Sequence, residues 1–248
     1  MEINNNLERV GSLWVGNKLS NLEILSIKSF ILNEHPYHLY VYNDIENLPE
    51  GIILEDANKI VPEKDIFYAP GSNGRPGSLG AFSDYFRFKM MEKEGGYWVD
   101  TDIICIKPFD FEAPYVFAAE NTHRGEQEAT SGVQKYPKEC DAIKYCVDFC
   151  ESFEDKTSIR WGDIGPSLVR KTIAQHNLQQ YVKDYRVFMS INWWEANKLL
   201  IPNNDFQIQE NIHAIHFWND VFSSHGVDKN ATYHPDSIYE QLKKWVGL

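Results

Sequence analysis

Asp100 and Asp102 stand one residue apart at the end of a short apolar run, Tyr97-Trp98-Val99, and a second apolar stretch, Ile103-Ile104-Cys105-Ile106, follows at once. Ionised carboxylates that interrupt a segment otherwise fit for burial need a cation or good hydrogen-bond partners. Two carboxylates at this spacing can reach one divalent metal, one directly and the other through water or a ligand hydroxyl. Hard oxygen donors suit Mg²⁺ or Mn²⁺, which keep positions open for substrate phosphates. A D-x-D triplet by itself is common by chance and usually marks an exposed acidic turn. Upstream, Asp84 and Arg87 sit at i and i+3, a spacing that on its own means a helical ion pair worth a few tenths of a kcal/mol.

The elements that must position these groups are legible nearby. Leu79, Phe82, Phe86 and Met90 recur at helical spacing behind Ser78 as N-cap, while Ser83, Asp84 and Arg87 fall on other faces. Gly95 and Gly96 stop that helix, Tyr97-Trp98-Val99 reads as a buried strand, and Pro108 closes the segment after the carboxylates. Earlier, Leu13-Trp14-Val15-Gly16 ends a first strand, Ser20 with Glu23 has the form of a capping box opening a helix to about Asn33, and His38 to Tyr42 is the next strand. Strand, helix and strand make a βαβ unit of a parallel sheet, whose ligands bind beyond the carboxyl ends of the strands, where Trp14 and Asn43-Asp44 lie. A third strand is expected at Ile52 to Leu54. Residues 62–77 carry Pro62, Pro70, Gly71, Gly74, Pro76 and Gly77 and read as a long loop, either a ligand contact or a plain connection.

Beyond Pro108 the expectations are a strand at Tyr115 to Ala119 ending in Glu120-Asn121, an exposed polar loop over residues 122–134, and a helix over residues 137–152. Trp161-Gly162-Asp163-Ile164-Gly165-Pro166 leads into another helix with Pro166 in its first turn; Asp163 either favours that helix end or faces the reacting centre. Ile212 to Trp218 alternates as a half-buried strand with His216 and Trp218 on one face, and Ile238, Leu242 and Trp245 form the docking stripe of a last helix over residues 235–246.

The chain of 248 residues is long enough for a full core and fits one domain. With 24 basic and 36 acidic residues its formal charge is −12, against a nucleic-acid surface. No apolar run approaches the ~18 residues of a membrane span, and the opening MEINNNLERV lacks a signal peptide's apolar core. The expectation is a cytoplasmic protein or one peripheral at the inner face of a membrane. Cys105, Cys140, Cys146 and Cys150 show no C-x-x-C spacing, so zinc and redox chemistry have little support; Cys146 and Cys150 read as small buried side chains.

Taken together, F-S-D-Y-F-R, then G-G-Y-W-V-D-T-D, then I-I-C-I-K-P resemble the core of retaining glycosyltransferases with a D-x-D motif. That family contains yeast-type initiating mannosyltransferases, lactosylceramide galactosyltransferases and bacterial capsule or lipopolysaccharide sugar transferases, and is distantly similar to glucosylating clostridial toxins. The similarity is dense over residues 10–110 and thinner afterwards. It implies an α/β fold of the GT-A nucleotide-diphospho-sugar transferase type, with a mostly parallel central sheet flanked by helices. It implies one catalytic domain over residues 1–248, with 1–110 as the nucleotide-sugar half and 111–248 as the acceptor-side half with the C-terminal segment. By the same resemblance Trp14 stacks on the nucleotide base, Asp84 accepts hydrogen bonds from the donor sugar, and Arg87 reaches a sugar hydroxyl or the diphosphate. Asp100 serves the ribose and, through water, the metal; Asp102 ligates it directly. His216 is the third metal ligand or a diphosphate contact and Trp218 a further donor contact, with Asn219-Asp220 able to serve instead.

The implied activity is metal-dependent transfer of a hexose, with retention, from UDP-glucose or UDP-galactose to a carbohydrate or lipid-linked glycan in bacterial surface polysaccharide synthesis. Mn²⁺ or Mg²⁺ is the implied cofactor. Asp163 and Glu120 are the only further carboxylates to test. The rival readings are a non-catalytic module binding metal and sugar nucleotide, and a haloacid-dehalogenase-type phosphatase, which Ile104 and the distance of the triplet from the N-terminus disfavour.

Overall fold

The computed structural model describes residues 7–70, 77–160, 162–202 and 206–248. In chain order its strands and helices are β1 (Val10–Trp14), α1 (Asn21–Leu32), β2 (Tyr37–Val41), β3 (Ile53–Asp56), α2 (Gly80–Glu94), β4 (Gly96–Val99), β5 (Ile103–Cys105), β6 (Val116–Asn121) and β7 (Gln127–Tyr136). After them come α3 (Asp141–Glu151), α4 (Pro166–Gln175), β8 (Ala214–His216), α5 (Asn219–Ser224) and α6 (Ile238–Trp245). Six strands form one sheet in the order β3-β2-β1-β4-β7-β6, while β5 and β8 pair separately. β1 runs parallel to β2 and β4, β2 parallel to β3, and β7 antiparallel to both β4 and β6. The fold is therefore mixed α/β with a mostly parallel central sheet.

Helices cover both faces of that sheet. On one, Leu22, Leu25 and Phe30 of α1 pack with Val10, Tyr37 and Leu39 and with the apolar residues of β5 and β8. On the other, Phe82, Phe86 and Met90 of α2 meet Ile143, Cys146 and Cys150 of α3 and Leu168 and Val169 of α4. Phe82 and Phe86 have no accessible surface, and each contributes about 1.5–3 kcal/mol by burial. Local signals set the helix ends. Ser20 and Glu23 form a complete capping box, with the Ser20 amide donating to Glu23 Oε2 at 2.7 Å. Pro166 takes the first turn of α4, where its missing N–H is an orphan donor anyway.

Several expectations needed revision. Residues 122–134 are not an exposed loop: a turn at Gly125 leads into β7, which lies between β4 and β6 with Ser131, Gln134 and Lys135 buried. Their polarity hid a central strand because most of these side chains find partners inside the fold, Gln134 Nε2 donating to Ser131 O and Lys135 to Phe111 O. α2 starts after Leu79; Ser78 is not its N-cap, although its hydroxyl accepts from the Gly80 amide at 3.0 Å. α3 begins at Asp141, the preceding Pro137 being unable to supply a helix-interior donor. On α6, Leu242 is buried but Trp245 is exposed, so the docking stripe is narrower than its spacing. Within the expected long loop Glu63–Asp65 forms a 3-10 helix and Ala69 bridges to Ser78; Gly71, Gly74 and Pro76 lie outside the described residues, as does Trp161. The four cysteines are free, and Cys146 and Cys150 are buried. Among the described residues no helix is long and apolar enough to cross a membrane.

Gly95 links α2 to the strand that carries the carboxylates. Its φ of 67° and ψ of −168° fall in a region open essentially to glycine alone, and a Cβ there would lie 2.9 Å from the Lys138 amide nitrogen. Gly95→Ala should destabilise the protein by about 2 kcal/mol or more, read as a lower urea midpoint with an unchanged slope.

Candidate active site

The four parallel strands end on one side of the sheet, at Trp14, Val41, Asp56 and Val99. From β1 the chain builds outward one way through β2 and β3, then returns to add β4 on the other flank of β1. The switch point of the sheet therefore lies between the ends of β1 and β4, where open α/β sheets bind ligands. Asp100 follows β4 directly, and a tight turn in which the Ile103 amide donates to Asp100 O at 3.1 Å places Asp102 before β5. Pairing of Ile103 in β5 with His216 in β8 brings the imidazole to this turn.

The resulting geometry is compact. Asp100, Asp102 and His216 each offer a ligand atom, all within 4.8 Å of one another. His216 Nε2 is 3.1 Å from Asp102 Oδ2, which also accepts the Asn219 backbone N–H at 2.7 Å. Asp100 Oδ1 accepts from Trp98 Nε1 at 2.8 Å and pairs with Arg87 at 3.1 Å. The same guanidinium nitrogen is 3.1 Å from Asp84 Oδ1, while Arg87 also donates to the Ser131 and Ser83 carbonyls and lies 4.9 Å from the Trp98 ring centre. The side chains of Arg87, Asp84, Asp102 and His216 are all nearly closed off, at 5–12% exposure, whereas Asp100 is 30% exposed and so opens the cluster to the outside.

Electrostatics show a surplus of negative charge. Burial pushes the Asp84 carboxyl up to about 6 despite Arg87, with Asp100 adding to the rise. Burial likewise raises Asp100 and Glu120, against the pull of Arg87 on the first and of His216 on the second. Asp102 moves the other way: burial opposes its charge, but the His216 charge and the hydrogen bonds from His216 and Asn219 outweigh it. Reciprocally, burial disfavours the His216 imidazolium, and Asp102, Asp100 and Glu120 together hold its pKa above the ordinary value. Asp84, Asp100 and Asp102 thus share one guanidinium and one imidazole, and Glu120 draws on the same imidazole and on Arg170.

A hard divalent cation fits this donor set. The ligand atoms of Asp100, Asp102 and His216 lie close enough to converge on one such ion, with His216 Nε2 and Asp102 Oδ2 giving up the hydrogen bond they share to bind it. His216 Nδ1 and Asn219 Oδ1, buried beside the cluster, have no hydrogen-bond partner within the chain, a state that calls for a ligand or water.

The structure brings Asp84, Arg87, Asp100, Asp102 and His216 together. Trp14 stands at the end of β1, partly buried, with its Nε1 buried and without a partner. Trp218 acts from behind: its ring centre is 3.9 Å from that of His216, and its Nε1 donates to Ile191 O at 2.8 Å. It is a tryptophan at φ 52°, a left-handed conformation uncommon for a bulky residue, directly after the residues that reach Asp102. Asp163 pairs with Arg160 at 3.2 Å and is not among the cluster's partners. Sequence reasoning overlooked Trp98 as a donor to Asp100, and Ser131 and Gly165. A Cβ at Gly165 would sit 2.5 Å from Asp84 Oδ2, so glycine before Pro166 is what lets that carboxylate approach α4. The available signal was Gly125, a turn residue at hairpin spacing after an apolar strand.

No family model matches the chain, and no curated protein matches it in sequence. Among solved structures it is similar to the PaToxG glycosyltransferase, at 14% identity and a TM-score of 0.46, covering 71% of this chain and 74% of that one. It is also similar to the galactosyltransferase LgtC crystallised with donor and acceptor sugar analogues, at 14% identity and a TM-score of 0.49, covering 96% and 95%. At such scores the likeness decides neither fold nor activity, which rest on this chain's own residues.

Because Asp84 keeps its proton up to about pH 6 in the folded protein but releases it near pH 4 when unfolded, stability from this group falls as pH rises through that window. Asp84→Asn removes the titration. Thermal midpoints of variant and wild type should shift in the variant's favour between about pH 4 and pH 7; a constant difference would contradict the assignment.

Proposed function

We propose that this chain is a metal-dependent, retaining glycosyltransferase of the GT-A type, moving a hexose from UDP-glucose or UDP-galactose to a hydroxyl of a carbohydrate or lipid-linked glycan. The observation that carries the reading is the buried, anion-rich cluster of Asp100, Asp102 and His216 at the switch point of the sheet. A diphosphate needs positive charge, and a site this acidic supplies it only through a cation. The residues that would hold it are Asp102, His216 and Asp100; when bound, it stabilises the negative charge that develops on the departing diphosphate.

The rest of the reading follows from what the side chains already do. The Asn219 N–H fixes the orientation of the Asp102 carboxylate, and a ligand held in place by such an outer contact keeps its geometry as charge moves nearby. Trp98 and Arg87 occupy Asp100 Oδ1, which leaves Oδ2 for a ribose hydroxyl or a metal-bound water. Asp84 is the carboxylate for the donor sugar's hydroxyls. Arg87 has its donors committed to Asp84, Asp100 and backbone carbonyls, so its part is to hold the two acids rather than to grip the diphosphate. The unpartnered Trp14 Nε1 supports a place for the base at the end of β1. With the leaving phosphate able to take the acceptor's proton, no further carboxylate is required as base; Glu120, half-buried and within reach of the His216 charge, is a further acid on that side. Residues 1–110 supply the carboxylates and 111–248 the imidazole and the acceptor side, and synthesis of a bacterial surface polysaccharide is the setting that fits this chemistry.

Calorimetry with UDP, GDP as control, and Mn²⁺ present or absent tests the site. UDP should bind only with the metal, and Asp102→Asn should weaken binding on the order of 100-fold. Wild-type protein that binds neither nucleotide with metal present would overturn the proposal. Metal-dependent hydrolysis of UDP-glucose or UDP-galactose without acceptor then separates an enzyme from a binding module.

A further inference from the structure

Outside the carboxylate cluster the described residues hold a second concentration of unusual side chains. His123, in the turn between β6 and β7, stacks on Trp194 with ring centres 4.1 Å apart and planes 26° apart, and meets Trp193 edge-on at 4.9 Å. The two tryptophans are themselves perpendicular at 5.4 Å. Trp193 nonetheless keeps 40% of its surface exposed. The indole is thus held in place by two aromatic neighbours while part of its surface stays open to a ligand.

Its surroundings are polar and ordered. Asn121 Nδ2 donates to Asn192 Oδ1 at 3.2 Å, and Asn192 Nδ2 donates to Glu195 Oε2 at 2.7 Å. Ser190 Oγ, in the same strip of chain, is buried without a hydrogen-bond partner. The strip also borders the metal cluster. Ile191 O accepts from Trp218, whose ring lies against His216. Met189 Cε lies 3.0 Å from where a side chain at Gly132 would begin, a point itself 3.4 Å from Asp100 Oδ2. Residues 189–194 therefore connect the neighbourhood of the carboxylates, through the buried Met189 and Ile191, to the aromatic group.

A part-exposed indole held by two aromatic rings, with the Asn192 amide next to it in the chain, fits one ligand class well. A pyranose offers a face of C–H groups, slightly positive, to the negative face of an aromatic ring, and an equator of hydroxyls to amide and carboxylate partners. We propose that Trp193, backed by His123 and Trp194 and edged by Asn192, is the platform on which a pyranose ring of the carbohydrate acceptor stacks. The assignment rests on the transferase reading for the word acceptor, and on its own geometry for the pyranose.

Saturation-transfer NMR with lactose, maltose and the methyl α- and β-glycosides of glucose and galactose tests it, on wild type, Trp193→Ala, Trp193→Phe and His123→Ala. Thermal midpoints serve as the check on folding. Saturation should reach the ring C–H protons of at least one sugar in wild type, fall about five-fold or more in Trp193→Ala, and return largely in Trp193→Phe. His123→Ala, which frees the indole to tilt, should give an intermediate loss. No saturation of any sugar by wild type, or equal saturation by a folded Trp193→Ala, would overturn the platform. The transferase reading fails separately: if wild type binds no UDP with Mn²⁺ but still contacts the sugar through Trp193, the pyranose site stands and the donor site does not.

Discussion

Everything at the carboxyl ends of the strands depends on how one buried guanidinium is shared. Arg87 reaches Asp84 and Asp100 with the same nitrogen, each at 3.1 Å, and donates to the Ser131 carbonyl of the neighbouring strand. A buried ion pair recovers little net stability, because desolvating its members costs as much as their attraction returns, but removing one partner leaves a charge stranded. Arg87 is thus better understood as a brace than as a source of stability. It ties α2 to β4 and β7 at the point where the acids emerge, and it leaves Asp102 to the weaker cation His216. The surplus of negative charge is what makes this end of the sheet chemically distinctive.

Local elements were legible because their causes are local. Ser20 with Glu23, Gly95 after α2 and Pro166 before α4 all behave as their residue types dictate. The spacing of Asp100 and Asp102 likewise announced a turn of paired acids. What the sequence did not reveal is where each element finds its neighbours. β7 passes for a loop because Ser131, Gln134 and Lys135 are polar, yet they are buried, with Gln134 Nε2 donating to Ser131 O and Lys135 to Phe111 O while Gln134 Oε1 has no partner within the chain. The separate pairing of β5 with β8 has no local signature either, and without it His216 is one more histidine.

The same limit applies to roles. The resemblance implied that Arg87 reaches a sugar hydroxyl or the diphosphate and that Trp218 contacts the donor, and both side chains lie at the carboxylate cluster. Their hydrogen bonds, however, go to the protein: Arg87 to acids and carbonyls, Trp218 to Ile191 O. Which donors remain free is decided by tertiary contacts, and no spacing rule encodes it. Conversely, the paired Trp193 and Trp194 drew no notice as a sequence because adjacent tryptophans in a short helical turn carry no motif; only the approach of His123 from another hairpin gives them a shape.

The β5 and β8 pairing also has a temporal side. Ile103 meets His216 across more than a hundred positions of chain, so the loop closure that unites them is among the costliest in the fold and the slowest to reward. On a ribosome the acids, their helix and most of the sheet emerge well before the imidazole does. Until β8 docks, Asp102 lacks both its histidine and the Asn219 amide, and the half-made protein carries a patch of uncompensated charge. Synthesis of β8 is thereby coupled to assembly of the site, because Asp102 acquires its two partners only when that strand pairs with β5.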